Sequence, residues 1–163
     1  MRRIVASLIF IVGLAGAASA YDDPRALIEG IYQPYVADQK HAGGLEQFYS
    51  TRLKELYAAN AERQAVDHEG AAVDPDAPDM LNFDPFIEGQ NPLLMDLAIS
   101  EPVTSGDYAV ATVSFHNFDH RSLLSLSLVR EADGWKVDDV ASLGGTENWL
   151  LSWLLQYDPF SVN

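Results

Sequence analysis

His116 and His120 are the nearest approach to a chelating pair in this sequence. On a single helix, four-residue spacing would turn both imidazoles toward one metal ion. Here the first falls at the end of an expected strand and the second in the turn after it, so the spacing fixes no chelate and both are expected to be exposed. Asp74, Asp76 and Asp79 superficially suggest a calcium loop. Such loops need ligands at alternating positions, a central glycine and a closing glutamate. Pro75, Ala77 and Pro78 break that register, so the expectation is a solvated acidic turn, with a weak calcium site as the alternative.

The stretch Asp84-Pro85-Phe86 through Gln90 has two readings. Asp84 and Glu88 could act as general acid or base at a cavity mouth. Alternatively, Asp84 caps a short helix beginning at Pro85, with Phe86 in the core, which explains Asp-Pro without chemistry. Arg52 is the polar residue within an otherwise apolar helical face, among Phe48, Tyr49 and Leu56. A half-buried guanidinium needs an acidic partner or an anionic ligand. In so acidic a chain a structural salt bridge is the ordinary answer, and in a pocket Arg52 would be the first polar contact. The candidate ligand-binding set is therefore Arg52, Tyr49, Asp84, Glu88 and Gln90. No serine has a Gly-x-Ser-x-Gly context and neither glycine pair resembles a phosphate loop. No catalytic residue, metal or cofactor is assigned.

These residues need elements to hold them. Asp22 and Asp23 are placed to cap a helix with Pro24 in its first turn. Leu27, Ile31 and Tyr35, and Ile28, Tyr32 and Val36, repeat every four residues, and Pro34 should kink that helix or end it early. After Gly43-Gly44, the spacing of Leu45, Phe48, Tyr49, Leu53, Leu56 and Tyr57 predicts one continuous second helix. A long irregular connection follows from Asp67 to Asp84. Residues 93–102, 108–117, 123–130 and 135–140 read as four strands of an antiparallel meander with one buried face. Ala109, Ala111, Val113 and Phe115 share one side, as do Leu124, Leu126 and Leu128. Thr146 is placed to cap a last helix over 147–157, in which only Ser152 and Gln156 form a polar stripe. A helix apolar nearly all round is buried on more than one side. It either crosses the sheet or fills a partner's groove, which makes Trp149, Trp153, Leu150 and Leu154 the candidate interface. The fold class expected is α+β: N-terminal helices packed on a curved four-stranded antiparallel sheet, with an apolar C-terminal helix and a conical cavity between them.

The first twenty residues read as an address rather than as structure. Met1-Arg2-Arg3 is followed by an apolar run to Ala18 and by Ala18-Ser19-Ala20, a small-x-small cleavage pattern. The run is shorter than the roughly 20 apolar residues that cross a bilayer. Cleavage would leave a single domain over 21–163, periplasmic or secreted, without stable membrane insertion. Loss of Arg2 and Arg3 moves the formal charge from −14 to −16. Zero cysteines exclude disulfides, thiol catalysis and zinc–thiolate sites. Between Arg63 and Arg121 there are eleven acidic residues and no Lys or Arg. Such a surface repels nucleic acid and anionic lipid.

Three segments carry a family resemblance: Tyr49-Ser50-Thr51-Arg52-Leu53-Lys54-Glu55-Leu56-Tyr57, then Asn82-Phe83-Asp84-Pro85-Phe86-Ile87-Glu88-Gly89-Gln90-Asn91, then 128–140, ending Trp135-Lys136-Val137-Asp138-Asp139-Val140. Together they resemble the bacterial exported family called domain of unknown function 3828, over roughly residues 24–140. The resemblance implies a cystatin-like or nuclear-transport-factor-2-like fold and an exported compartment. It carries no catalytic residues. The expected function is a non-enzymatic envelope module that binds a protein partner or a small ligand, a homodimer included. The alternatives are an enzyme of isomerase or dehydratase type using the cavity for acid–base chemistry, and an acidic inhibitor or immunity-type protein for a basic secreted partner.

Overall fold

The computed structural model describes residues 21–67, 83–144 and 148–157. The expected signal peptide, Asp74, Asp76, Asp79, Thr146 and Glu147 lie outside them. Helix α1 spans Pro24–Val36. Asp23 caps it by accepting the Ala26 N–H at 2.9 Å, and Pro24 needs no donor at the first helical position. Pro34 does not stop the helix at once; the chain leaves it two residues later, at Val36.

The second helix departs from the expectation. Leu45 to Tyr49 are not helical together: Glu46–Phe48 form a single 3₁₀ turn, and Tyr49 is extended. Helix α2 runs Thr51–Asp67. Ser50 sets its start, because its Oγ accepts the Leu53 N–H at 3.0 Å. The helical spacing read from the sequence arose because a 3₁₀ turn and an extended pair also turn Phe48 and Tyr49 into the core.

The molecule is α+β, with an open antiparallel sheet of five strands rather than four. These are β1 (Leu94–Ile99), β2 (Val103–Ser105), β3 (Tyr108–Asn117), β4 (His120–Glu131) and β5 (Gly134–Ser142). The stretch read as one strand over 93–102 is β1 alone. It ends at Ile99, although Ser100 N still donates to Thr112 O at 2.9 Å; the chain then passes Pro102 and β2 pairs separately with β3. Proline has no N–H to give to a ladder, which explains the break. A bulge also interrupts β1 between Met95 and Ala98, with Asp96 at a φ of +54°. The spatial order is β1-β3-β4-β5. β3 and β4 pair from Tyr108↔Val129 to Asn117↔His120, so His120 opens β4 and does not sit in the turn. The register sends Ala109, Ala111, Val113, Phe115, Leu124, Leu126 and Leu128 to the face covered by helices, as expected.

That face and α1 form the core. Leu27, Ile28, Ile31 and Tyr32 are fully buried, and the Tyr32 ring lies 6.0 Å from Phe115. Helix α1 touches both β1 and β5, so it lies across the sheet. Each fully buried Leu, Ile or Phe contributes about 1.5–3 kcal/mol, the dominant stabilising term.

β5 is an edge strand that does not stay open. Its backbone is met by three pieces of chain far apart in sequence: Tyr21 O accepts from Trp135 N (2.7 Å), Ser50 N donates to Val137 O (2.8 Å), and Trp149 O accepts from Ser142 N (2.9 Å). Gly134, at a φ of +109°, lets Tyr21 lie against the turn; a Cβ there would stand 2.7 Å from the Tyr21 carbonyl oxygen.

The last helix is shorter than expected and oriented differently. α3 is Leu151–Gln156, and Leu150 precedes it in extended conformation, bridged to Ala141. Ser152, read as part of a polar stripe, is buried together with Leu151 and Leu155, whereas Trp153 is 49% exposed. Ser152 is buried because a carboxylate waits for it. Asp139 accepts the Ser152 N–H at 3.0 Å and its Oγ–H at 2.5 Å.

Candidate functional site

The segment 83–90 is built around Asp84. Its backbone closes on itself, with Asp84 N donating to Gly89 O at 2.9 Å and Ile87 N donating to Asp84 O at 3.2 Å. Its Oδ1 accepts the Phe86 N–H at 2.9 Å. Asp84 therefore caps a turn and not a helix, because no helix begins at Pro85. Phe86 and Ile87 fill the core beneath. Asn117, buried at the end of β3, pins the segment from the other side. It donates through Nδ2 to Ile87 O (3.0 Å) and Asn91 O (3.2 Å), and accepts the Leu93 N–H (2.9 Å).

The second oxygen of Asp84 accepts the hydroxyl of Tyr35, from the last turn of α1. Behind it lie Tyr32, whose hydroxyl donates to Phe86 O at 2.9 Å, and the parallel rings of Tyr49 and Tyr57, 5.1 Å apart with hydroxyls 3.4 Å from each other. Burial, and then the Asp84 charge, push the Tyr32 and Tyr35 hydroxyls well above the ordinary tyrosine range. Burial does the same to Tyr49, with Tyr57 next to it as the second cause. All three stay neutral; Tyr32 and Tyr35 act as donors, and between Tyr49 and Tyr57 either hydroxyl can donate. Asp84 itself is raised, chiefly by burial, while the Tyr35 hydrogen bond and the Phe86 amide pull it back down.

His41 completes the wall. Its Nε2 lies 2.7 Å from Ile31 O. A carbonyl only accepts, so Nε2 carries a proton and donates it to Ile31 O. The ring stands edge-on between Tyr35 (4.9 Å) and Phe48 (4.8 Å). An open cleft of about 410 Å³ lies here, lined by Lys40, His41, Gly44, Leu45, Phe83, Asp84 and Gln90. Phe83 is held edge-on against Trp149, 5.3 Å away. A neighbouring depression of about 380 Å³ contains Glu88, Gln90, Asn117 and His120.

Of the candidate ligand-binding residues, Asp84 and Gln90 line the cleft together. Glu88 lines the neighbouring depression. Tyr49 lies beneath, against Phe86. Arg52 is elsewhere: its side chain is 49% exposed and not set within the core face. It grips β5, with Nε 3.0 Å from Asp138 Oδ2 and Nη2 3.1 Å from Asp138 O. That is the structural salt bridge the sequence made the ordinary answer. The candidate interface residues also divide. Trp149 turns inward to Phe83, while Leu150 and Trp153 are exposed and Leu154 is half-buried.

Sequence reasoning missed Lys40 and His41, which follow α1 without any periodicity to single them out. The nearest signal was Tyr35, one turn earlier on a face already read as apolar. Imidazole, carboxyl and phenol groups in one wall can bind and orient polar groups and exchange a proton. Among the described residues, no group of three or more His, Cys, Asp or Glu could hold a metal ion. His116 and His120 sit one register position apart, opposite Arg121 and Asn117, on β3 and β4, and His116 Nδ1 lies 3.4 Å from Asp96 Oδ2. No described helix is long and apolar enough to cross a membrane. Compared with protein-family models, curated proteins and solved structures, the chain matches none.

Proposed function

We propose that this is an exported, periplasmic binding module whose cleft between the chain after α1 and the 83–90 turn receives a small polar ligand. One observation carries the reading. Asp84 is held on both oxygens by the scaffold, at the wall of an open cleft that also presents Lys40 and His41. A carboxyl held by two donors is preorganised, so little ordering entropy remains for a ligand contact to overcome. The acidic surface and the leader-like N-terminus support the exported compartment. The motif resemblance and the placement of α1 across one face of an antiparallel sheet support a cystatin-like or nuclear-transport-factor-2-like relationship, with a curved sheet.

Native mass spectrometry of the protein recovered from the cell envelope tests this reading. A monomer starting at Tyr21 with additional bound mass is the expected result. A bare monomer whose 83–90 amide resonances ignore every small-molecule class would overturn it. A bare dimer or a protein complex would transfer the function to the exposed Leu150 and Trp153. If that complex dissolves in high salt, the partner is basic and held electrostatically.

The raised carboxyl of Asp84 favours one second reading, acid–base catalysis at the same place. A substrate turned over by the native protein and not by Asp84→Asn, with binding retained, would establish it.

A further inference from the structure

The proposed cleft carries opposite charges that do not consume one another. Neither Lys40 nor Asp84 takes part in an ion pair among the described residues. Each Asp84 oxygen receives one scaffold donor, from Phe86 N and from the Tyr35 hydroxyl. An ionised carboxylate has about four acceptor positions, so one on each oxygen is left for a ligand. His41 Nε2 is committed to Ile31 O. The same wall therefore offers the open positions of Asp84 to a donor-rich cation and one ammonium to an anion. Leu45 and Phe83 supply apolar surface beside them.

Single-charge ligands fit this arrangement poorly. A free anion would face both Asp84 and the field of a chain carrying a formal charge of −14. A simple cation would satisfy Asp84 and leave the Lys40 ammonium facing it. We propose that the cleft takes a free amino acid with an apolar side chain, with its ammonium on Asp84 and its carboxylate on Lys40. The proposal rests on the cleft being the binding site. The volume of about 410 Å³ accommodates such a ligand.

The test is titration of the purified protein with L-leucine, followed by calorimetry and amide NMR. N-acetyl-L-leucine, which lacks the ammonium, and L-leucine methyl ester, which lacks the carboxylate, are the comparators. Leucine should shift resonances in 40–45 and 83–90, and each blocked analogue should bind about tenfold or more weakly, the size expected for one lost charge-assisted contact. The exposed variant Lys40→Ala should bind leucine and its methyl ester equally. Equal binding of N-acetyl-L-leucine and leucine by the native protein would overturn the proposal, as would a cleft that leucine leaves unmoved. A set of uncharged, cationic and anionic fragments on the same spectra separates the two levels. Cleft shifts from one of those classes alone would overturn the zwitterion and keep the binding site, whereas no shift from any class would remove both.

Discussion

Asp139 and Asp84 each accept a hydroxyl and a backbone N–H from the scaffold, and they are finished in opposite ways. Asp139 on β5 is nearly sealed: it accepts the N–H and the hydroxyl of Ser152, and Arg52 Nη2 stands 3.8 Å away. Asp84 has comparable donors, a hydroxyl and a backbone N–H, but its surroundings open into the cleft. Buried polar groups must be satisfied wherever they occur. Satisfaction alone therefore does not mark a site; what separates the two carboxylates is whether acceptor capacity faces solvent-accessible space.

The sharpest way to break the comparison is Asp139→Ala. It strands the buried Ser152 N–H and hydroxyl and should cost about 3 kcal/mol, read as a lower denaturant midpoint at unchanged slope. Asp139→Asn should recover part of that loss. A cost no larger than that of an exposed substitution would show that the Ser152 anchor is not what holds α3. Tyr35→Phe is the matching cut at the open carboxylate. Only one of the two Asp84 donors is lost and water can replace it, so about 1 kcal/mol is expected from the same measurement.

A smaller effect concerns pH. Burial raises Asp84, so its ionised form is the one that destabilises the fold. That cost is fully present above the raised pKa and vanishes below the ordinary carboxylate value of about 3.9. Asp133, which accepts from Lys136 Nζ at 3.0 Å, is lowered by that contact and acts oppositely, losing its contribution as pH falls through its lowered pKa. Stability against pH, measured for the native protein and for Asp84→Asn, isolates the first. Relative to the variant, the native protein should gain stability as pH falls through the window between the two Asp84 values. Parallel curves would mean that the cleft solvates Asp84 fully. Smallest of all should be Trp153→Ser, within about 0.5 kcal/mol, because the ring is half exposed. A larger loss would mean that α3 is held by its aromatic face and not by Asp139.

The sheet was largely legible because period-two alternation is local. Tyr108–Asn117 follows from the sequence to the residue, and the inward faces of β3 and β4 are as read. The errors fell where tertiary contacts override local pattern. Ser50 reads as one polar residue among helix formers until Asp138, 88 positions away, accepts its hydroxyl at 2.7 Å and Leu53 uses its oxygen as a cap. Ser152 is buried only because Asp139 lies across from it. Asp84 and Gln90 were visible as candidates because Asp-Pro is a strong turn signal. Lys40 and His41 were not, because what brings them to Asp84 is the path of the chain after α1, which no periodicity encodes.

The covering of β5 has a consequence for folding. Its outer backbone is met at Trp135, Val137 and Ser142 by Tyr21, Ser50 and Trp149, drawn from the beginning, middle and end of the described chain. A bare strand edge is a template for another chain. Here the three covers arrive only by closing loops of very different length, which is a slow and cooperative kind of assembly. A chain still emerging from synthesis lacks the last cover, so the edge acts as a progress gauge: only a chain that has reached Trp149 stops presenting it to a neighbour.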